Sequence, residues 1–475
     1  MTPEISFRKS LLWLVAIGFF MQTLDATIIN TALPAMAASL GESPLRMQSV
    51  VVAYSLTMAM LIPASGWIAD RFGTRRIFFS AIVLFVAGSI ACAVSQGLGQ
   101  LVAARVVQGL GGALLLPVGR LALLRTVPRS EFLQAMSFVA IPGLIGPLLG
   151  PTLGGWLVQY ASWHWIFLIN VPVGLVGCIA TLRFMPDLRG AVRMPFDAGG
   201  YALLAIGMVA VSLALDGVAE MGLRQVSVFV LLVFGFASLA AYWLRAGRKP
   251  DPLFSPTLFK VPTLSIGLIG NLFSRLGSSC MPFLVPLLLQ VSMGYSPLHA
   301  GLMMLPIAIA GMAMKRFTTP LITRFGYRTV LVTNTALVGI SMASFGLTAP
   351  GQPLALHIVQ LMIFGAVNSL QFTAMNTVTL RDLDNSMASS GNSLLSMVQM
   401  LAMSLGVAAA SSVLGGYTGI FGSASPVDAL DTLHAFQATF ATMGLITIAS
   451  AMIFWHLPPE ARAVQPSQPE VSGHG

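Results

Sequence analysis

The chain has 475 residues, of which 9% are charged and 56% are hydrophobic, and its mean hydropathy is +0.83. Soluble globular proteins carry roughly a quarter charged residues, so this composition excludes a disordered chain, a disulfide scaffold and most soluble folds. It predicts an integral α-helical membrane protein. A net charge of +9 would suit a nucleic-acid-binding protein, but the positions of the basic residues indicate another cause.

Fourteen stretches of the sequence are apolar over the roughly 20 residues that a membrane-spanning helix needs. They lie near 11–36, 47–69, 77–96, 99–119, 133–158, 164–185, 198–217, 225–244, 263–290, 298–322, 329–349, 354–378, 389–415 and 433–456. The turns between most of them leave no room for a soluble domain.

Basic residues are concentrated in alternate loops, which sets the orientation of the spans. With the N-terminus in the cytoplasm, 21 of the 25 Lys and Arg residues fall in cytoplasmic regions. Arg46 and Arg224 fall outside, and Arg105 and Arg275 fall inside spans. The positive-inside rule therefore explains the net charge without a nucleic-acid partner, and it predicts a multi-pass protein with both termini cytoplasmic.

Span 1 carries Asp25 near its middle, within the run Leu24–Pro34. A carboxylate at that depth is costly unless it is paired or protonated, so Asp25 is a candidate proton carrier. The alternative is a static carboxylate that is hydrogen-bonded to Thr27 or Asn30.

The loop after span 2 combines glycines, one acid and three arginines in the segment Gly66–Arg76. Asp70 can pair with arginines or cap a neighbouring helix, and Gly73 permits a tight turn. We predict a latch that gates one conformation, whereas an ordinary positive-inside turn would explain only the arginines. The candidate gating residues are Gly66, Asp70, Arg71, Gly73, Arg75 and Arg76.

Two arginines lie inside spans, Arg105 in span 4 and Arg275 in span 9. A buried guanidinium needs a partner, which is Asp25, a substrate anion or exposed carbonyls. Gln108 shares the helix face of Arg105, and a purely structural ion pair is the alternative. The candidate substrate-cavity residues are Thr27, Asn30, Arg105, Gln108, Arg275 and Gln360.

Span 5 contains glycines at every fourth position, which form one stripe along a helix and permit close backbone packing. Its prolines remove backbone hydrogen bonds and bend the helix. A smooth, bent helix suits two bundles that rock over each other, although the same pattern serves ordinary helix packing. The residues are Gly143, Gly146, Pro147, Gly150, Pro151, Gly154 and Gly155.

The two halves of the chain align weakly at an offset of 252–253 residues. The segment 70–75 overlays 323–328, which places Thr323 opposite Asp70, and Gln108 overlays Gln360. Spans 7 and 8 remain as an insertion, and paired halves with a midplane site are typical of secondary transporters. We predict an N-terminal six-helix bundle (1–189), a two-helix insertion (190–250), a C-terminal six-helix bundle (251–460) and a disordered cytoplasmic tail (461–475).

No motif of an enzyme is present in the sequence. The histidines lack metal-ligand spacing, and there is no Walker A, His-Glu-x-x-His or Gly-x-Ser-x-Gly motif. We therefore predict neither an enzyme nor a metal or cofactor site.

The loop Gly66–Arg76, the stretch Arg105–Gly109 and the stripe Gly143–Gly155 resemble signatures of major facilitator superfamily antiporters. The runs Leu24–Pro34, Trp163–Pro172 and Phe196–Gly199 resemble its 14-helix drug:proton antiporter branch. This resemblance implies an all-α membrane fold of two six-helix bundles plus two inserted helices, alternating access and proton antiport across the bacterial inner membrane. It also implies coupling by Asp25 and Arg105, gating at Asp70 and an antiport role for span 5. The sequence departs from the pattern at Thr323, where the second-half loop lacks its acid.

The resulting expectation is a monomeric, proton-coupled exporter of small organic molecules, of the multidrug efflux type. One acid against two arginines in the membrane favours an alternative, the export of anionic metabolites such as citrate. Uptake by proton symport, or uniport, is a further alternative, as is a sensor or scaffold that has lost transport.

Overall fold

The computed structural model describes residues 3–189, 196–219, 225–349, 351–383, 385–421 and 429–458, and all regular structure in these ranges is helical. The predicted tail, 461–475, lies outside the described residues. The helices are α1 Pro3–Ile28, α2 Leu33–Leu40, α3 Gln48–Phe72, α4 Thr74–Ala93, α5 Leu98–Thr126, α6 Arg129–Tyr160, α7 Trp165–Leu168, α8 Asn170–Phe184, α9 Ala198–Ala219, α10 Gln225–Ala246, α11 Pro262–Ser278, α12 Met281–Leu287, α13 Pro297–Leu302, α14 Leu305–Ser344, α15 Leu354–Arg381, α16 Asn385–Phe421 and α17 Ala429–Phe454.

Fourteen membrane spans can be assigned to these helices. Twelve described segments are long and apolar enough to cross a membrane. One of them, Pro297–Leu347, is 51 residues long and breaks at Gly326, so that it holds two spans. The 32-residue α6 is the remaining span. This arrangement is an all-α membrane fold of two six-helix bundles with α9 and α10 inserted between them.

The two bundles share an unusual turn at equivalent positions. Gly73, between α3 and α4, has φ 95° and ψ 141°, and Gly326, within α14, has φ 76° and ψ 157°. Such positive φ values favour glycine because a Cβ atom would be strained there. The two glycines are 253 positions apart, which matches the offset predicted from the sequence.

The bundles meet at the end that the predicted orientation places outside the cytoplasm, called the outer end below. A buried apolar cluster there contains Ile29 and Leu33 from the first bundle together with Leu284 and Phe436 from the second. Hydrogen bonds cross the same interface, for example from Gln290 Nε2 to the Thr31 carbonyl at 3.0 Å. The two bundles are therefore closed against each other at the outer end.

Toward the cytoplasmic end each bundle has its own core. One buried cluster consists of first-bundle residues such as Phe78 and Leu115, and another consists of second-bundle residues such as Leu331 and Phe454. Burial couples the bundles through the outer cluster, and a further buried cluster joins Leu56 of α3 to Leu394 and Met397 of α16.

The inserted helices pack against each other and against both bundles, since α9 contacts α3 and α16 as well as α10. Asp197, just before α9, accepts hydrogen bonds from Lys249 Nζ at 2.8 Å and from the Gly200 amide at 3.1 Å, and it pairs with Arg245 at 3.5 Å. Burial alone would raise the pKa of Asp197, but these hydrogen bonds and the two positive charges leave that pKa below its ordinary value. The ion pairs tie the start of α9 to the chain after α10.

Candidate functional site

Asp25 lies in the interior of the first bundle and is only 1% exposed. Three side chains donate hydrogen bonds to its carboxylate. Arg105 Nη1 contacts Oδ2 at 2.7 Å, and Gln108 Nε2 and Asn170 Nδ2 contact Oδ1 at 2.7 and 3.1 Å. A buried charge requires such pairing, because an isolated carboxylate in the membrane interior is strongly unfavourable.

Gln108 connects the acid to the rest of the network. Its Oε1 accepts from Arg105 Nη1 at 2.6 Å, and its Nε2 also donates to Ser89 Oγ at 2.8 Å. Asn170 Nδ2 lies 3.4 Å from the same hydroxyl. The amide therefore bridges the two charges and fixes both against α4.

Arg105 is as deeply buried as Asp25, and aromatic rings lie beside its guanidinium. Its Nε donates to the Val50 carbonyl at 3.2 Å, and its Cζ lies 4.2 Å from the ring centre of Tyr54 and 5.9 Å from that of Phe167. Aromatic faces attract a cation, and the attraction grows when water is excluded. The guanidinium thus has a carboxylate, an amide, a carbonyl and two rings around it.

Local sequence explains how these groups meet. Arg105 is seven residues into α5, about 10 Å along the axis from its outer end. A Cβ atom at Gly88 of α4 would overlap the backbone of Gln108, so the glycine lets α4 and α5 approach closely. Asp25 occupies the last turn of α1, just before the helix narrows to a 3₁₀ turn at Ile29–Thr31.

Several members of this network were not predicted from the sequence: Ser89, Asn170, Tyr54 and Phe167. Asn170 lies in a segment that resembles the antiporter branch. Its position as a polar residue at the start of an apolar helix was the one sequence feature that could have marked it as a site residue. Ser89 is one of many small polar residues in the spans. Nothing in the sequence distinguishes it from the others.

Two predicted cavity residues from span 1 lie elsewhere. Thr27 faces α6, and its Oγ1 bonds to the carbonyls of Thr23 and Leu24 at 3.0 and 3.1 Å and lies 3.4 Å from that of Gly146. Asn30 is buried in the 3₁₀ turn Ile29–Thr31. Neither side chain is among the hydrogen-bond partners of Asp25.

The remaining two predicted cavity residues belong to the second bundle, away from Asp25. Arg275 in α11 is partly buried, and its Cζ lies 4.5 Å from the ring centre of Phe372. Its buried Nε has no hydrogen-bond partner, and no carboxylate of the described chain pairs with it. Gln360 donates from Nε2 to the Ser344 carbonyl at 3.1 Å, between α15 and α14.

The predicted gating loop holds its acid in an ion pair with another helix. Asp70 Oδ1 lies 2.6 Å from Nη2 of Arg125, at the end of α5. Its partner is therefore not one of the arginines of its own loop. Arg71 and Arg76 are exposed, and Gly66 faces open space, with no heavy atom within 4 Å of the position that its Cβ would take.

The rest of this loop binds the segment that follows α8. Thr74 exchanges hydrogen bonds with Leu188: the Thr74 amide donates to the Leu188 carbonyl, and the Leu188 amide donates to Thr74 Oγ1, both at 3.0 Å. Arg75 Nε donates to the Met185 carbonyl at 2.5 Å. The turn between α3 and α4 and the segment that follows α8 are therefore joined by hydrogen bonds into one unit.

The glycine stripe of span 5 packs mainly against α1 of its own bundle. Close approaches pair Gly146 with Thr23, Gly150 with Thr27 and Gly154 with Thr31, and Gly143 faces Phe19. Pro151 contributes its carbonyl, which accepts from Thr31 Oγ1 at 3.1 Å, and Pro147 is exposed. Only the outer end of the stripe reaches the other bundle, where Gly155 meets the Pro297 carbonyl and Gly301 meets the Pro151 carbonyl.

The network around Asp25 is suited to exchange of a proton for an ion pair. Among the described residues, Arg105 alone donates a hydrogen bond to Oδ2, so a proton can bind there once that guanidinium withdraws. The other oxygen keeps two amide donors in either state. In the present conformation the two charges neutralise each other inside the bundle.

Comparisons with known proteins agree with this architecture. The sequence profile of the Major Facilitator Superfamily matches residues 15–407. A relative in Serratia proteamaculans, named MdtD and described by that name as a proposed multidrug resistance protein, is 54% identical over 450 residues, covering 94% of this chain and 93% of its own. A protein of the same name in Pectobacterium atrosepticum is 50% identical, covering 97% and 98%.

Solved structures with a similar fold are more distant in sequence. A POT family transporter in complex with a thioalcohol-conjugated peptide has a TM-score of 0.68 at 15% identity, covering 93% of this chain and 94% of that one. A D-xylose–proton symporter has a TM-score of 0.67 at 14% identity, covering 95% and 98%. Together with the fourteen spans and the repeated turn, these matches establish that the chain belongs to the major facilitator superfamily.

Proposed function

We propose that this protein is a proton-coupled antiporter that exports small organic molecules across the bacterial inner membrane, in the manner of multidrug efflux. The observation that carries the proposal is the buried ion pair of Asp25 and Arg105 in a bundle that must move against its partner. Family membership supports transport, and the name of the relatives supports drug export. Neither of them identifies the coupling residues, which we propose from the geometry.

The proposed cycle alternates Asp25 between a protonated state and an Arg105-paired state. With the outer end closed, Asp25 is paired, which corresponds to the state after release of a proton to the cytoplasm. When the outer end opens, Arg105 withdraws and Oδ2 takes a proton from the outside. Because a ligand shifts a conformational equilibrium only through its different affinity for the two states, this exchange of partners is what couples the proton gradient to movement.

A substrate anion is the other partner for Arg105 that the sequence leaves open, and it would compete with Asp25 for the guanidinium. Arg105 is 1% exposed here, so a substrate has no access to it in the outer-closed conformation. Coupling in this conformation must therefore pass through the helices rather than through direct contact. Asp25 lies on α1, whose threonines interlock with the α6 stripe, and this gives a mechanical route from the acid to the bundle interface.

The neutral variant Asp25→Asn tests the coupling. It keeps the volume and one acceptor oxygen but cannot exchange a proton, so we expect pH-driven export of a cationic dye from proteoliposomes to fall to the level of empty vesicles. Glu42→Gln, which removes a half-buried acid at the outer end paired with Arg46 at 2.6 Å, serves as the control and should transport normally. Retention of pH-driven transport by Asp25→Asn contradicts the proposal.

A second candidate function is the export of anionic metabolites, and Arg275 is the observation that favours it. Asp25 and Arg105 cancel within the first bundle, which leaves Arg275 as a cation inside the membrane without a paired carboxylate in the described chain. Its neighbour Phe372 is 44% exposed, so the protein does not enclose the face on which the two side chains meet. A carboxylate substrate would neutralise this charge.

Parallel transport assays separate the two candidates. If anions are the substrate, Arg275→Gln should abolish citrate export, because the substrate loses its counter-charge, while Arg316→Gln on the exposed part of α14 should leave it intact. If cationic drugs are the substrate, Arg275→Gln should leave dye export unchanged or improved. Movement of substrate in the same direction as protons would instead establish a symporter, and movement without a gradient a uniporter.

We also propose that the chain divides into three parts, at 1–189, 190–250 and 251–460.

We further propose that the loop after span 2 gates the transporter. In this role, Asp70 would break its ion pair with Arg125 when the cytoplasmic ends of the bundles approach each other. The proposed gating residues are Gly66, Asp70, Arg71, Gly73, Arg75 and Arg76. The orientation with both termini in the cytoplasm rests on the placement of the arginines and lysines.

A further inference from the structure

The second bundle repeats three polar residues of the Asp25 network at the offset of 252 positions that relates the two halves. They are Ser341, His357 and Gln360, which match Ser89, Arg105 and Gln108. The two glutamines also make equivalent contacts. Gln108 donates from Nε2 to Ser89 on α4, and Gln360 donates from Nε2 to the Ser344 carbonyl on α14. The repeat is therefore present in the packing as well as in the sequence.

The second set of residues differs from the first in its unpaired atoms. His357 is 5% exposed, and in the described chain neither of its ring nitrogens has a hydrogen-bond partner. The same is true of Ser341 Oγ and Gln360 Oε1, which are also buried. Buried polar atoms without partners are rare in folded proteins, and each calls for an explanation such as a bound species or a functional role.

A charge on His357 would have no carboxylate to balance it. The helices in extensive contact with α15 are α14, α11 and α16, and none of the four helices contains an acidic residue. Arg275 lies over Phe372, about 22 Å farther along α15 than His357. The other titratable groups of these helices, and of α17 beside the turn Phe345–Leu347, are Lys315, Arg316, Arg324, Tyr327, Arg328, Arg381, Tyr417, Asp431 and His434.

His357 is therefore uncharged in this conformation. A buried imidazolium without a counter-ion is strongly unfavourable inside a membrane. His357 is also the fourth residue of α15, where the partial positive charge of the helix start opposes a further positive charge. Arg105, at the matching position, is balanced by Asp25. The second site can thus hold a charge only in a conformation that admits water.

We propose that His357 binds a proton from the outer solution when the outer end opens, and that this binding favours the outer-open conformation. The inference rests on the proposed cycle, in which the outer end opens and closes. Leu361, one turn farther along α15, belongs to the apolar cluster that closes this end, so separation of the bundles would bring water toward the ring. A protonated imidazole donates from both nitrogens, and the unpaired oxygens of Gln360 and Ser341 are acceptors on its own helix and on α14. Because only one conformation accommodates the proton, a lower outer pH shifts the equilibrium toward that conformation.

Distances between spin labels test this in purified protein in lipid nanodiscs, without substrate or gradient. Val94→Cys and Leu430→Cys, at positions that are 67% and 57% exposed, place labels on the outer ends of the two bundles. Cys178→Ser removes the one cysteine that is not buried, and Asp25→Asn prevents Asp25 from contributing to the pH dependence. Lowering the pH from about 8 to about 5.5, on either side of the ordinary pKa of histidine, should increase the population with separated labels several-fold.

Three substitutions in this background assign the response. His357→Gln keeps a polar side chain but cannot be protonated, so its label distances should not change with pH. His434→Gln removes an exposed histidine at the same end and should respond as its parent does. His357→Arg carries a permanent charge and should show separated labels at both pH values.

Two results overturn the proposal. One is an equal pH response in His357→Gln. The other is the absence of a response in the protein that retains His357, which would mean that the unpaired atoms only bind water. Because the measurement needs no transport, it is independent of the test of the antiport cycle, which fails if Asp25→Asn retains pH-driven export.

Discussion

At the scale of single residues, the network around Asp25 is organised by an uncharged side chain. Gln108 accepts from Arg105 and donates to both Asp25 and Ser89, so each of its amide atoms has a partner. A satisfied amide between two charges fixes their geometry without adding charge of its own. In the proposed cycle, Gln108 would hold Asp25 when Arg105 moves away.

Tyr54 offers a test of how the guanidinium is held. Its ring lies under Arg105, but its buried hydroxyl has no hydrogen-bond partner. Tyr54→Phe keeps the ring and removes the unpaired hydroxyl, so we expect the free energy of unfolding to stay within about 1 kcal/mol of wild type or to increase. Thermal unfolding in detergent measures this.

The comparison variant is Tyr54→Leu, which also removes the ring and its attraction to the cation. It should lower the midpoint of unfolding and weaken pH-driven transport. Equal destabilisation by Tyr54→Phe and Tyr54→Leu would mean that the hydroxyl, rather than the ring, contributes the stabilising contact.

The sequence led to Asp25, Arg105 and Gln108 because charged residues inside apolar spans must find each other. It did not lead to Ser89 or Asn170, since neutral polar residues are common in spans and their helix neighbours are not visible in a sequence. The sequence assigned Thr27 and Gln360 to one cavity with Arg105, whereas the structure places their side chains on other faces. Depth in the membrane can be estimated from the sequence, but the face that each helix turns inward cannot.

At the scale of helices, α1 and α6 interlock through two patterns of period four. Thr23 and Thr27 on α1 and Thr31 in the 3₁₀ turn that follows lie opposite Gly146, Gly150 and Gly154 on α6. Each threonine hydroxyl also bonds to a carbonyl of its own helix, so that no donor is lost where the helices touch. Small residues that allow close approach are what association inside a membrane requires.

Gly150→Ala should disturb this contact. Its added methyl group would meet Thr27 and the backbone at Ile28, and overpacking of this kind costs roughly 1–3 kcal/mol. We expect a lower unfolding midpoint and reduced transport. Gly66→Ala is the matched control, because its methyl group would point into open space, and its stability should equal that of wild type.

The sequence predicted the stripe but favoured a contact between bundles. Its period of four and its bend follow directly from the glycines and prolines, whereas the partner helix depends on tertiary packing. The structure assigns most of the stripe to α1 and only Gly155 to the other bundle. The glycine stripe of α6 thus packs against α1, the helix that carries Asp25.

At the scale of the whole molecule, the outer ends of the bundles are held together by packing and by backbone-directed hydrogen bonds. The Leu298 amide donates to Gln159 Oε1 at 3.3 Å, and Thr152 Oγ1 donates to the Gly301 carbonyl at 3.3 Å. None of these contacts involves a charge. Contacts of this kind can separate without leaving an uncompensated ion in the membrane.

A disulfide across this interface should stop the cycle. We expect Gln159→Cys with Leu298→Cys to form a cross-link that abolishes transport and restores it on reduction, since the outer end could no longer open. Each single cysteine variant should transport normally. Full transport by the oxidised double variant would show that the outer end does not separate during the cycle.

The inserted pair of helices makes the two sides of the transporter unequal. The bundles contact each other along two seams, α3 with α16 and α6 with α13, and α9 packs against both helices of the first seam. Neither inserted helix, in the part of the chain that the structure describes, makes comparable contact with α6 or α13. An apolar molecule that diffuses within the bilayer therefore meets an additional helix at the first seam and not at the second.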